Sequence, residues 1–198
     1  MKKILRTLAY AVVVVVSIMV DVHPAHAQGF FTPSLGVTLA NASGEGRADF
    51  GAAFGWVDPR APIGVELDVV YAPSFFGGSG TYGANSVTTV MGNVIIAGGG
   101  TGPYGFGRRR EASIRPYVSG GVGVMHEVIT TAVPGERIPN NDLGLNLGVG
   151  VMALPRRSVG VRGDVRYYRN VVNNATATSV DFGAFHFWRA SIGLVLGF

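Results

Sequence analysis

Apolar and polar residues alternate with a period of two in eight stretches of the chain, at about residues 31–41, 48–58, 62–74, 86–98, 114–128, 141–154, 158–171 and 182–198. Successive side chains of a β-strand point to opposite faces, so this period predicts eight strands. No stretch carries a convincing helical period. The last stretch is the clearest. Phe182, Ala184, His186, Trp188, Ala190, Ile192, Leu194, Leu196 and Phe198 share one face, and Gly183, Phe185, Phe187, Arg189, Ser191, Gly193, Val195 and Gly197 the other. From Trp188 to Phe198 the first face is almost wholly apolar, with an aromatic residue at each end. The seventh stretch sets Val159, Val161, Val165 and Tyr167 against Arg162, Asp164 and Arg166. The third sets Ile63, Val65, Leu67, Val69 and Tyr71 against Glu66 and Asp68, and the sixth sets Leu143, Leu145, Leu147, Val149 and Val151 against Gly144, Asn146, Gly148 and Gly150.

A soluble sandwich also has one apolar face per strand, so alternation alone leaves two architectures open. The opposite face separates them. It is small and polar, often glycine, which suits a narrow lumen better than a surface facing water. Each stretch also reaches the 9–11 residues or so that a tilted strand needs to cross a bilayer. The predicted fold is therefore all-β: an eight-stranded antiparallel up-and-down transmembrane β-barrel with its apolar face toward lipid. Trp188 and Phe198 then mark the two aromatic girdles of an apolar band about 25 Å tall.

Composition agrees. Charged residues make up 14% of the chain, against about 25% in an average soluble domain. No apolar stretch reaches the 20 or so residues of a membrane helix. The absence of cysteine excludes disulfides, thiolate chemistry, cysteine metal sites and a lipidated cysteine anchor. At the N-terminus Lys2, Lys3 and Arg6 precede the 13 mostly apolar residues Leu8 to Val20, and Ala25-His26-Ala27 follows as a small-x-small site. Residues 1–27 are expected to be a signal peptide, with residues 28–198 as the barrel domain. An uncleaved anchor fits less well, because Asp21, His23 and Pro24 end the apolar run early. Cleavage would remove three bases and one acid and lower the formal charge from +4 to +2. A nucleic-acid partner does not follow from that charge.

The connections differ in length. Pro59-Arg60-Ala61 and Pro155-Arg156-Arg157 are tight turns, whereas those near 42–47, 75–85, 129–140 and 172–181 are mostly longer and rich in Gly, Asn, Ser and Thr. Short periplasmic turns and longer outer loops are usual in such barrels, which puts both termini in the periplasm. The long, basic segment 99–113, running from Gly99-Gly100-Thr101-Gly102-Pro103 to Arg108-Arg109-Arg110, then falls on the periplasmic side. Either it is an excursion, or the fourth or fifth strand is misplaced. Its glycine run is not a phosphate cradle, because Pro103 follows and no helix begins there.

Ile114-Arg115-Pro116-Tyr117-Val118-Ser119-Gly120-Gly121-Val122-Gly123-Val124, Pro62-Ile63-Gly64-Val65-Glu66-Leu67-Asp68 and the final Gly197-Phe198 resemble strands of the OmpA/OmpX-type outer-membrane barrel family. The resemblance implies an outer-membrane location and surroundings of lipid and lipopolysaccharide. It also implies that Phe198 is the C-terminal signal read by the barrel-assembly machinery. The chain stops at its last strand, so no peptidoglycan-binding domain is expected. Deacylases among such barrels carry a His-x-Ser spacing. Here His126 is followed by Glu127-Val128 and His186 by Phe187-Trp188, so that spacing is absent.

The charges on the inward faces are the candidate site. Glu66, Asp68, Glu127 and Asp164 stand against Arg115, Arg162, Arg166 and Arg189. A bore this narrow is filled by side chains, and charges buried in it must pair. Gly121, Gly123, Gly148 and Gly150 would make room for them. The expected result is a lumen plugged by a charge network, with no catalytic, cofactor or metal residues, in a monomeric non-enzymatic protein of envelope-structural or surface-interaction role. The alternatives are a small channel or transport barrel, whose ion path would follow the same charges, and a lipid A-modifying enzyme.

Overall fold

The computed structural model describes residues 28–40, 46–57, 62–75, 85–98, 113–130, 137–154, 159–172 and 185–198. The expected signal peptide, most of the basic segment 99–113 and residues 182–184 of the expected last strand lie outside them. Eight strands follow one another: β1 (Gln28–Ala40), β2 (Gly46–Val57), β3 (Ile63–Pro73), β4 (Asn85–Ala97), β5 (Ser113–Thr130), β6 (Arg137–Leu154), β7 (Val159–Val172) and β8 (His186–Gly197). Each pairs antiparallel with the next and β8 pairs with β1, which closes the barrel. Closure leaves no unpaired sheet edge, the condition for a β-structure to sit in hydrocarbon.

Side chains alternate across the wall as the period of two requires. On β3, Gly64, Glu66, Asp68, Val70 and Ala72 are buried while Ile63, Leu67, Val69 and Tyr71 are exposed. On β8, Phe187, Arg189 and Val195 point inward, and Trp188, Ile192 and Leu194 point outward. The barrel end that carries Gln28 and Phe198 is called the terminal end below, and the opposite one the distal end.

The β5–β6 hairpin departs from the sequence expectation. Its strands run on to Thr130 and begin again at Arg137, with Pro139 opposite Val128. The connection expected at 129–140 is shorter, because the backbone ladder continues through Ile129, Thr130 and 137–140 and turns Asn140 inward, as it does Asp142. The hairpin therefore extends further at the distal end than its apolar pattern suggests. Between Leu143 and Gly144 the register with β7 shifts by one residue, so that Leu143 pairs with Val172 and Gly144 with Asn170. Strands β4 and β5 sit where the pattern put them, so the long connection between them does belong to the terminal end.

A second departure is Phe75, expected within an exposed loop. Ser74 adopts a left-handed backbone (φ 53°) and donates its N–H to the Asn85 carbonyl at 2.8 Å. The turn folds Phe75 back into the distal mouth, where it is buried. The interior is thus layered. Phe30, Val57, Ile95, Tyr117, Met152, Leu154 and Val195 fill the terminal end, and Phe75, Val87, Met91, Met125, Tyr168 and Phe187 fill the distal end. Charged side chains lie between the two apolar layers.

Candidate functional site in the barrel interior

Strands β3 and β7 face each other across the bore and supply most of the charged layer. Glu66 accepts from Arg162 Nη1, and from Arg166 Nη2 at 2.7 Å. Asp164 accepts from Arg162 Nε at 3.0 Å and Arg166 Nε at 3.2 Å, while Asp68 lies 3.4 Å from Arg166 Nη1. Three acids meet two bases here, and hydroxyl donors make up the difference. Tyr117 donates to Asp164 at 2.8 Å, Tyr168 to Asp68 at 3.2 Å and Ser191 to Asp164 at 3.1 Å. The Tyr117 oxygen also accepts from Arg162 Nε at 2.6 Å, and the guanidinium stands 4.7 Å from the ring centroid. Asn93 donates to Glu66 at 3.1 Å and accepts from Asn146 at 2.7 Å. Hydrogen bonds that satisfy the remaining lone pairs are what make a buried ion cluster tolerable.

Arg189 belongs to a separate pair. It donates through Nε to Asp49 on β2 at 2.8 Å, and Thr38 donates to the other Asp49 oxygen at 2.8 Å. Arg166 and Arg189 are directly opposed in the β7–β8 register. Like charges so placed repel. Here each turns to its own carboxylate, on β3 for Arg166 and on β2 for Arg189.

The expected matching of four acids with four bases needs correction. Arg115 and Glu127 are both inward and buried, but neither takes part in an ion pair among the described residues. Asp49 was not among the expected charges. Its signal was available: it lies between Ala48 and Phe50 and shares the face opposite Phe50 and Phe54. Tyr117, Tyr168 and Asn93 were also missed, because neutral donors carry no pairing rule in a sequence. Of the four glycines, Gly148 and Gly150 open space for the cluster. A Cβ on Gly148 would sit 2.6 Å from Arg166 Cγ, and one on Gly150 would sit 2.7 Å from Asp164 Cβ. Gly121 and Gly123 instead accommodate Asn93 and Met91.

The outer wall carries Leu35, Phe50, Val94, Val122, Leu147, Val161, Ile192 and many similar residues in contact with the surroundings. Tyr167 packs 5.0 Å from Trp188 near the distal end, and Phe198 stacks on Phe54 at 5.8 Å at the terminal end. Trp188 and Phe198 are ten residues apart on β8. At about 3.3 Å per residue and a tilt of about 40°, they are separated by about 25 Å along the barrel axis, the height of a bilayer's apolar band. Phe198 is 70% exposed, and its backbone exchanges hydrogen bonds of 3.0 and 3.1 Å with Gly29. Its ring lies over Gly29, where a Cβ would have no room. His126 and His186 face outward; His126 Nδ1 is 2.7 Å from Asn141 Oδ1, and the His186 ring is 5.9 Å from Tyr167.

No protein-family model matches the sequence, and no curated protein is significantly similar to it. Solved structures are. The chain is similar to Neisserial surface protein A, at 11% identity and a TM-score of 0.63, over 87% of this chain and 97% of that one. It is similar to Ail, the attachment invasion locus protein of Yersinia pestis, solved with the heparin analogue sucrose octasulfate, at 10% identity and a TM-score of 0.52, over 87% and 99%. A major outer membrane protein from Thermus thermophilus is similar at 15% identity and a TM-score of 0.52, over 86% and 99%. The fold is that of the small eight-stranded outer-membrane barrels, of which the OmpA/OmpX type is one form.

Proposed function

We propose that this chain is an integral, non-enzymatic protein of the bacterial outer membrane. Residues 1–27 act as its cleaved export signal, both barrel termini face the periplasm, and the distal connections meet the outside of the cell. The observation that carries the proposal is the outer wall. An apolar surface this extensive, bounded by an aromatic pair at each end, suits hydrocarbon and would aggregate in water. Lipid and lipopolysaccharide are then the partners of the wall, and the barrel works as a monomer. Phe198, held at the closing seam, serves as the signal for the barrel-assembly machinery.

The role of the barrel is structural support of the envelope or surface interaction through the segments 41–45, 76–84, 131–136 and 173–184. Three features support a plugged lumen: the salt-bridge cluster, the two apolar layers that flank it, and the size of the space between. The cavity beside Arg162, Arg166 and Arg189 measures about 10 Å³, room for about one water. The test is planar-bilayer recording on the refolded barrel, paired with gel migration of unboiled and boiled samples. A compact unboiled form without steady conductance is expected. Steady single-channel conductance of the wild type would replace this reading with a channel. Identical migration of the two samples, with partition into the aqueous phase of a detergent extraction, would remove the membrane reading altogether.

A further inference from the structure

The distal mouth holds two buried acids that the salt-bridge cluster does not reach. Glu127 on β5 stands opposite Asn140 on β6, and Asp142 is the next inward residue of β6, so the two carboxylates are diagonal neighbours on the inner face of one hairpin. Diagonal neighbours across an antiparallel pair have Cα atoms about 7–8 Å apart and Cβ atoms somewhat closer, a spacing that two carboxyl groups can bridge through one shared ion. Glu127 is 1% exposed, and the Asn140 amide opposite it is the one donor within reach of its carboxylate among the described residues, without a well-formed hydrogen bond to either oxygen. Asp142 is 3% exposed; its Oδ1 accepts nothing and its Oδ2 takes one long bond of 3.3 Å from Asn170 Nδ2.

Counter-charge does not come from the described bases of the cluster. The guanidiniums of Arg162, Arg166 and Arg189 are committed to Glu66, Asp68, Asp164 and Asp49. The layer of Met91, Met125, Phe75, Tyr168 and Phe187 lies between that cluster and the mouth. Arg47 of β2 shares the inward face of Asp49 and hydrogen-bonds to neither Glu127 nor Asp142 Oδ1. Two buried carboxylates side by side, with only amide donors at hand, are disfavoured as bare anions.

We infer that Glu127 and Asp142, with the Asn140 amide beside them, form a site for a hard divalent cation, calcium or magnesium, in the distal mouth of the barrel. Two carboxylates neutralise a divalent charge, and carboxylate and amide oxygens are the donors that these ions take. A softer metal has no partner here, since the chain has no cysteine and His126 and His186 face outward. Among the described residues no three acidic or histidine side chains are placed to hold a metal ion together. The site is therefore partly hydrated and weak, with a dissociation constant of about 10⁻⁴–10⁻³ M, the range of extracellular modules.

Calcium or magnesium chloride alone, titrated into the refolded full-length barrel in lipopolysaccharide-free non-ionic detergent at constant ionic strength, tests this. Calorimetry should show one saturable site. The temperature at which the compact gel form is lost should rise in about 10 mM cation. Glu127→Gln and Asp142→Asn each preserve shape and should weaken binding about tenfold or more, abolishing that rise while leaving the barrel folded in chelator. Absence of saturable binding by the wild type overturns the site whatever the variants do. Undiminished affinity in either variant that folds overturns it equally. The bilayer recordings above are independent of both results, so failure of the cation site leaves the membrane reading standing, and the reverse.

Discussion

Glu66 and Glu127 are the same residue type on the inner wall of the same barrel, both buried, and they live in opposite electrostatic worlds. Glu66 receives two guanidiniums and an amide. Glu127 receives no guanidinium and has only the Asn140 amide within reach. The difference lies in what stands across the bore. Glu66 on β3 faces β7, which carries Arg162 and Arg166 at matching height, and Gly148 and Gly150 on β6 leave space for long side chains to reach over. Glu127 sits in the part of the β5–β6 hairpin that extends past the aromatic layer, where its nearest inward neighbours on β6 are Asn140 and Asp142. For these two glutamates the strands they face decide, whereas Asp164 draws on Arg162 and Arg166 of its own strand.

The largest break in this contrast should come from Arg166→Ala. It strips one partner from Glu66, Asp68 and Asp164 together and leaves buried charge uncompensated, at a cost of about 3–5 kcal/mol, measured by reversible urea unfolding in lipid vesicles. Moving the same charged group to the outside tests whether lumen and lipid faces differ as described. Ile192→Arg, near the middle of the apolar band, should cost about 2–4 kcal/mol in the same assay. An outward arginine tolerated as well as inward Arg189 would contradict the assignment of faces. Removing a single neutral donor is milder: Tyr117→Phe should cost about 1.5–3 kcal/mol, the value of a hydrogen bond to a charged group. The smallest effect has the opposite sign. In chelator Glu127→Gln should gain about 1 kcal/mol, because an amide is cheaper to bury without partners than a carboxylate. A loss of that size would mean that Glu127 has a stabilising partner in the protein.

Strand positions and faces were legible because the period of two is enforced by lipid outside and packing inside at every step. The parity of β7 alone turns Arg162, Asp164 and Arg166 inward. Pairing was less legible. A tilted barrel staggers its strands, so counting residues from a rim does not say which side chains face one another. That is why Arg115 and Glu127 looked like members of the network while Asp49, the partner of Arg189, went unnoticed. Segments beyond the apolar band escaped for a different reason. Asn140 belongs to the ladder without facing lipid, and Phe75 is turned inward by one left-handed residue, which its own side chain does not announce.

The seam where Phe198 meets Gly29 also sets an order of events. Every other interface in the barrel joins strands adjacent in sequence, whereas β1 and β8 bring together residues such as Phe30 and Gly197. Closing a segment of well over a hundred residues, rather than a short hairpin loop, adds about 3 kcal/mol of chain entropy. The seven hairpin interfaces are therefore favoured to form first, as a curled sheet with two open edges, and the barrel exists as a closed object only once its last residue is in place. Until then both edges are raw hydrogen-bonding surfaces, and the time spent in that state is the interval in which the chain is open to help or to aggregation.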